Sequence, residues 1–240
     1  VIFALAIILI GAARSVAADQ RPAPKPSESA LVRLAAERFP ALTRCERVML
    51  EYADVKLHAD FPACGPSPLP DDPSNDPSHA DKWDHQREVR AGIIRWLLVD
   101  PDASRQLDPY GIVLLGARVV GSLDLDNVHS PVGIFLMRSA IPDPMSMMNA
   151  ELGIIILDGS HTSSIQAGGI RVRGGVFLRD GFEASARVFF GNSRIDSDFD
   201  CAGGSFKHSP LADNDQWGPL KPALFLGASR IDGPIWLTAG

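Results

Sequence analysis

The sequence predicts a mainly β protein, a parallel β-helix (solenoid) preceded by a small α-helical region that caps it. Three observations predict this class. From Ile112 onward an apolar-x-apolar pattern returns about every eleven residues. Val, Ile, Leu and Phe fill its apolar positions, with glycines such as Gly116, Gly121, Gly133, Gly153 and Gly168 between them. Such a segment has poor helix propensity and high strand propensity, so the period is not that of a helical supercoil. Finally, proline concentrates before residue 80 and glycine after residue 110, a shift that separates two regions.

The first element is Val1–Ala13, an unbroken apolar run followed by Ser15-Val16-Ala17-Ala18 and polar Asp19-Gln20-Arg21. The run is shorter than the roughly 20 residues a spanning helix needs. It reads as the apolar core of a signal peptide over residues 1–18, cut after Ala17 or Ala18, with an uncleaved N-terminal anchor as the alternative. The expected location is the periplasm or cell envelope.

Residues 19–61 form a helical N-terminal region. Leu31, Leu34, Ala35 and Phe39 make a helical stripe that Ser27 or Ser29 caps. Thr43 with Glu46 three residues later reads as a capping box opening a second helix, with Cys45, Val48, Met49, Tyr52 and Val55 on its apolar face. Of the three cysteines, Cys45 and Cys64 share this region and export permits them to pair; otherwise they are two buried thiols. Residues 62–82, rich in Pro, Asp and Ser, have little to bury and read as a mobile linker. A third helix is expected from about Asp84 to Val99, on Val89, Ile93, Ile94, Trp96 and Leu97. A solenoid exposes the apolar end of its first coil, so this helix, within residues 83–110, is expected to cover it.

Residues 111–240 carry the repeats. They run Ile112/Leu114/Ala117/Val119, Leu123/Leu125/Val128, Ile134/Leu136/Ser139/Ile141 and Met145/Met147/Ala150/Leu152. Ile155/Leu157/Ser160, Ile165/Ala167/Ile170/Val172 and Val176/Leu178 follow, then Val188/Phe190/Ser193/Ile195 and Phe199/Cys201/Gly204/Phe206. Leu224/Leu226/Ser229/Ile231 and Ile235/Leu237 come after a longer gap. Apolar residues in alternation face inward, and the small residue allows a tight corner. Each unit therefore supplies two short faces, and two units of about eleven residues make one coil. With rungs about 4.8 Å apart, roughly five coils form a stub about 25 Å long. A β-sandwich would need hairpin turns and strands of roughly five to six residues, which the pattern lacks. The final unit stops at Ile235-Trp236-Leu237 before its closing apolar residue, so the chain is expected to be truncated and prone to end-to-end self-association.

Three segments resemble divergent pentapeptide-repeat proteins: Gly116-Ala-Arg-Val-Val-Gly-Ser-Leu-Asp-Leu125, Gly191-Asn-Ser-Arg-Ile195 and Phe199-Asp-Cys-Ala-Gly-Gly-Ser-Phe206. Leu42-Thr-Arg-Cys-Glu46 and Arg90-Ala-Gly-Ile-Ile-Arg-Trp96 resemble the leader of a bacterial subgroup of that family. The motif is kept only in pairs and its five-residue register slips by one per unit, a departure from a regular square coil. The resemblance implies a non-catalytic protein. Some members mimic DNA, a role that needs a cytoplasmic, strongly acidic rod.

Function is narrowed by charge. A net charge of −6 argues against a nucleic-acid partner, since phosphate contacts need clustered Lys and Arg. Asp196, Asp198 and Asp200 alternate beside inward Phe199 and Cys201, so that at least Asp198 and Asp200 point outward together, and the three are weak calcium candidates. Asp124 and Asp126 flank Leu125 in the same way. The insertion after Phe206 carries His208, Asp213, Asp215 and Trp217, residue types that hold a sugar when grouped on a loop. His129 and His161 are lone imidazoles with structural roles. No catalytic residue and no cofactor is indicated. The expected function is an exported scaffold binding an unknown protein or an envelope polysaccharide; the rival is a carbohydrate-active β-helix enzyme, a lyase or glycosidase.

Overall fold

The computed structural model describes residues 29–54, 62–207 and 222–238. Helix α1 (Ala30–Arg38) starts where Ser29 Oγ accepts the Val32 N–H at 3.3 Å and buries Leu31, Val32 and Ala35. Helix α2 (Arg44–Asp54) opens on a reciprocal capping box. Thr43 N–H donates to Glu46 Oε2 and Glu46 N–H donates to Thr43 Oγ1, both at 3.0 Å. Its buried face is Cys45, Glu46, Met49, Leu50 and Ala53, turned slightly from the expected one, so that Val48 and Tyr52 are only half-buried. Val55 lies outside the described residues.

Residues 62–82 do more than connect. Leu115 N–H donates to Pro62 O at 3.1 Å and Cys64 N–H to Leu115 O at 2.9 Å, a one-residue parallel bridge onto the first coil. Cys45 and Cys64 form a disulfide with Cα atoms 4.8 Å apart, tying α2 to that bridge. Two short 3-10 helices follow, Pro73–Asn75 and Pro77–Lys82, capped by the Asp72 and Asp76 carboxylates. Buried Arg87 locks this segment down. Its guanidinium donates to Gly116 O (2.7 and 2.9 Å), Ser74 O (2.8 Å) and Asn75 Oδ1 (3.2 Å), and packs 3.6 Å from the Trp83 ring centre. Gly116 must be glycine here: its φ is +67°, and a Cβ would sit 2.6 Å from both Arg87 Nη2 and Asn75 Oδ1.

The third helix is shorter than expected. A 3-10 turn (His85–Arg87) and a strand (Glu88–Arg90) precede α3 (Ala91–Val99), and Val89 pairs with Val119 in a parallel ladder. Helix α4 (Pro101–Ser104) follows, with the Asp100 carboxylate accepting from Asp102 and Ala103 N–H.

The remainder is a parallel β-solenoid of about four turns. Sheet I stacks Gly111–Leu115, Gly133–Met137, Ile155–Ile156, Val176–Phe177, Phe199–Asp200 and Ile235–Trp236. Sheet II stacks Glu88–Arg90, Arg118–Val120, Ala140–Ile141, His161–Thr162, Glu183–Ala184 and Ser205–Phe206. Sheet III stacks Leu123–Asp124, Met145–Ser146, Ile165–Gln166, Val188–Phe189 and Leu224–Phe225. Sheet IV stacks Glu151–Leu152, Arg171–Val172, Arg194–Ile195 and Arg230–Ile231. The coil is four-sided despite the register slip, because turns of unequal length absorb the extra residue at the corners.

Every inward position expected from Ile112 to Cys201 is buried. Phe182 and Ala184, which the repeat pattern skips, fill the sheet II position of their coil. The small corner residues also carry hydrogen bonds. Ser139 Oγ accepts the Ala117 N–H at 3.1 Å, and Ser160 Oγ accepts the Ser139 N–H at 2.9 Å while donating to Leu136 O at 2.5 Å. Backbone groups at the corners are thereby satisfied inside an apolar core. Burial falls off in the last described coil, where Ile235 and Leu237, in register to point inward, are 49% and 61% exposed.

Cap and coil meet edge by edge. The first strand of sheet I takes the Ala63 bridge, sheet II begins with Glu88–Arg90, and α3 packs against the first strand of sheet III. Covering these three edges in this way blocks further strand pairing on them. The cap is therefore α2, α3 and the Pro62–Cys64 segment together rather than one helix.

Candidate functional site: the outward faces

Because two-residue strands place one side chain in and one out, each sheet presents a single outward column with neighbours about 4.8 Å apart. The four columns differ. Sheet II shows Glu88, Arg118, Ala140, His161, Glu183 and Ser205, with ion pairs Arg118–Glu88 (3.7 Å) and Lys207–Glu183 (2.9 Å). Burial pushes the His161 imidazole below its ordinary value, against the pull of Glu183 and Asp76.

Sheet IV shows Glu151, Arg171, Arg194 and Arg230, flanked by Arg173, Asp196 and Asp232. It is largely self-neutralised. Arg173 holds Glu151 at 2.7 Å, Arg194 holds Asp196 at 2.6 Å and Arg230 holds Asp232 at 2.7 Å. Sheet III is polar over Asp124, Ser146 and Gln166 and turns aromatic at Phe189 and Phe225, whose rings stack at 5.1 Å.

Sheet I is the apolar one. Its outward register begins at Val113, which is buried, and runs on through Phe135, Ile156 and Phe177, then Asp200 and Trp236. Tyr110 stands before the first rung, 65% exposed and 6.4 Å from the Phe135 ring; Trp236 is 51% exposed. Phe135, Ile156 and Phe177 are half-buried. Arg179 borders the column, 4.5 Å from the Phe177 ring centre and bonded to Asp158 at 2.6 Å. The hydrogen bond to Asp158 raises the Arg179 pKa more than burial lowers it, so its charge is fixed.

The carboxylates singled out in the sequence disperse. Asp196 is taken by Arg194, and Asp198 Oδ1 accepts from Ser197 Oγ at 3.3 Å. Asp200 accepts the Ala202 N–H at 2.9 Å with Arg179 at 3.6 Å. The three sit at successive positions around a corner from sheet IV to sheet I, so they do not converge as a shared outward face would. Asp124 pairs with Arg95 at 3.2 Å, while Asp126 accepts from Ser146 Oγ (2.5 Å) and Met148 N–H (2.8 Å). Among the described residues no group of three or more His, Cys, Asp or Glu is arranged to hold a metal ion. His208, Asp213, Asp215 and Trp217 lie outside the described residues.

Cys201 is buried, and burial with the Asp200 charge pushes its thiol up to about 12, which leaves it inert as a nucleophile. A cleft of about 350 Å³ opens between the cap and the first coil. Leu98, Leu107 and Val132 form its apolar part, with Ser104, Arg105, His129 and Ser130 around them.

The sequence reading missed Tyr110, Phe135, Ile156, Phe177 and Trp236 as a surface. A signal existed. Ile134-Phe135-Leu136, Ile155-Ile156-Leu157 and Val176-Phe177-Leu178 are apolar at three consecutive positions where strict alternation would place a polar residue in the middle. No family model, curated protein or solved structure matches the chain.

Proposed function

We propose that the chain is a non-catalytic, exported interaction scaffold of the pentapeptide-repeat type, working in the periplasm or cell envelope and holding a protein partner on the outer face of sheet I. The single observation that carries this reading is the apolar outward column Phe135–Ile156–Phe177, bounded by exposed Tyr110 and Trp236. On the other three faces outward positions are mostly charged or polar, as a solvated surface requires. A contiguous apolar strip on one face marks a surface made to be covered. Aromatic residues in such a strip supply the large desolvated area on which binding energy concentrates.

Export is supported by the apolar opening segment with its small-residue cleavage pattern and by the Cys45–Cys64 disulfide, which belongs in an oxidising compartment. Among the described residues no helix is long and apolar enough to cross a membrane.

The test is retention of envelope proteins by the immobilised chain. A variant combining Tyr110→Ser, Phe177→Ser and Trp236→Ser is expected to lose at least about thirtyfold in affinity for the retained partner, the scale of a single aromatic hot spot of about 2 kcal/mol. Arg171→Ser on sheet IV is expected to retain it fully. Equal retention by both variants would reject the sheet I surface. Release of reducing ends from a panel of soluble polysaccharides, with or without calcium, would instead establish the carbohydrate-active reading.

A further inference from the structure

The cap covers sheets I and II with backbone pairing, and covers sheet III with a helix. The fourth side of the first coil is built differently. There the chain forms a one-residue parallel bridge downward, His129 with Glu151. Glu151 N–H donates to Val128 O at 2.7 Å, and Ser130 N–H donates to Glu151 O at 2.8 Å. In such a bridge the central residue turns its own N–H and C=O to the opposite side. The N–H and C=O of His129 therefore face the cap, and neither has a hydrogen-bond partner among the described residues.

On that same side lies the 350 Å³ cleft, with His129 at its wall and Leu98, Leu107 and Val132 as its apolar surface. An unpaired peptide edge beside an apolar recess is the combination that strand addition uses: main-chain bonds give affinity and a side-chain pocket gives selection. The chain shows the pairing once already, since Pro62–Cys64 make this bridge to Leu115 on sheet I.

We propose that this cleft accepts, in trans, an extended peptide segment of a partner protein, running parallel to Val128–Ser130. Its C=O takes the His129 N–H, its N–H two residues later gives to the His129 C=O, and the aliphatic side chain beside them enters the cleft. Arg105 is held by Asp102 at 2.5 Å, and Glu151, 3.6 Å from His129 Nδ1, is held by Arg173 at 2.7 Å, so the mouth is internally neutralised. Backbone pairing and apolar burial, rather than charge, drive the binding. This site is separate from the sheet I surface and stands or falls without it.

The probe is acetyl-Gly-Thr-Val-Leu-Val-Thr-Gly-amide, titrated into the full chain while amide hydrogen exchange is read by NMR at His129. Saturating peptide is expected to slow exchange of the His129 amide at least tenfold. A peptide of the same sequence methylated at alternate amide nitrogens is expected to bind at least tenfold more weakly. Ser104→Trp, which fills the cleft from its rim, is expected to abolish binding while leaving retention on sheet I intact. Equal binding of the methylated peptide, no binding of either, or an unchanged His129 amide would overturn the proposal. A His129 amide already protected in the free chain would overturn its supply in trans.

Discussion

Glu46→Ala is expected to lower the unfolding free energy by about 2 to 3 kcal/mol, the cost of removing a buried charged acceptor from its donors when the Arg90 left behind is 35% exposed. Glu46 is fully buried, and its carboxylate collects four donors: Arg90 Nε at 2.7 Å, Arg90 Nη2 at 2.8 Å, and the Arg90 and Thr43 N–H groups at 3.0 Å. One side chain thus closes the start of α2 and fastens it to the strand that begins sheet II. Burial by itself would raise the pKa of this carboxyl. The Arg90 and Thr43 hydrogen bonds and the Arg90 charge outweigh it and hold the carboxyl below its ordinary value of 4.5. A carboxyl depressed in the folded state stabilises fully above its unfolded pKa and loses that contribution as pH falls through the folded one. Urea unfolding should therefore show the wild-type chain weakening below about pH 4.5, and Glu46→Gln should lack that part of the slope. An Ala variant within 1 kcal/mol of wild type, roughly the scale of an exposed pair, would mean that Glu46 does not fasten the cap.

Phe199→Ala is expected to cost about 3 to 5 kcal/mol, but locally. Phe199 is fully buried, meets Phe190 edge-on at 5.3 Å, and sits in register between Val176 and Ile235. Stability in a solenoid is close to a sum of neighbour interfaces, so the loss falls on the coils that touch the cavity. Hydrogen exchange should quicken in Ser205–Phe206, Leu224–Phe225 and Ile235–Trp236 while Ile134–Leu136 keeps its protection. Uniform acceleration over all coils would contradict a neighbour-coupled solenoid.

The core was legible because the repeat states its own in-and-out alternation. Ile134, Leu136, Ile155 and Leu157 follow from the pattern alone, as does the Thr43–Glu46 capping box. What the pattern could not carry was structure made by hydrogen bonds instead of burial. Residues 62–82 offer few apolar side chains, and their order rests on Asn75, Arg87 and the two backbone bonds to Leu115. The short strand Glu88–Arg90 hid for another reason. Val89 falls on the same helical stripe as Ile93 and Trp96, and three residues are too few for alternation to compete with that period. Of the candidate site, the carboxylates were visible but not where their partners come from: Asp200 meets Arg179 of the adjacent coil and Asp124 meets Arg95 of α3, while Asp196 pairs locally with Arg194. The sheet I surface needed the inward set to be known first; only then do Phe135, Ile156 and Phe177 read as outward.

The register of stacked coils underlies every outward column, and cysteine cross-linking tests it most directly. Ser146 and Gln166 are outward partners on adjacent rungs of sheet III. Adjacent rungs lie about 4.8 Å apart, within the Cα separation a disulfide spans. Oxidising the Ser146→Cys, Gln166→Cys variant should give a nearly complete intramolecular disulfide. Ser146→Cys with Phe189→Cys, two rungs apart at about 9.6 Å, should give none. Cross-linking of the distant pair, or failure of the adjacent one in a folded chain, would contradict the parallel four-sided coil.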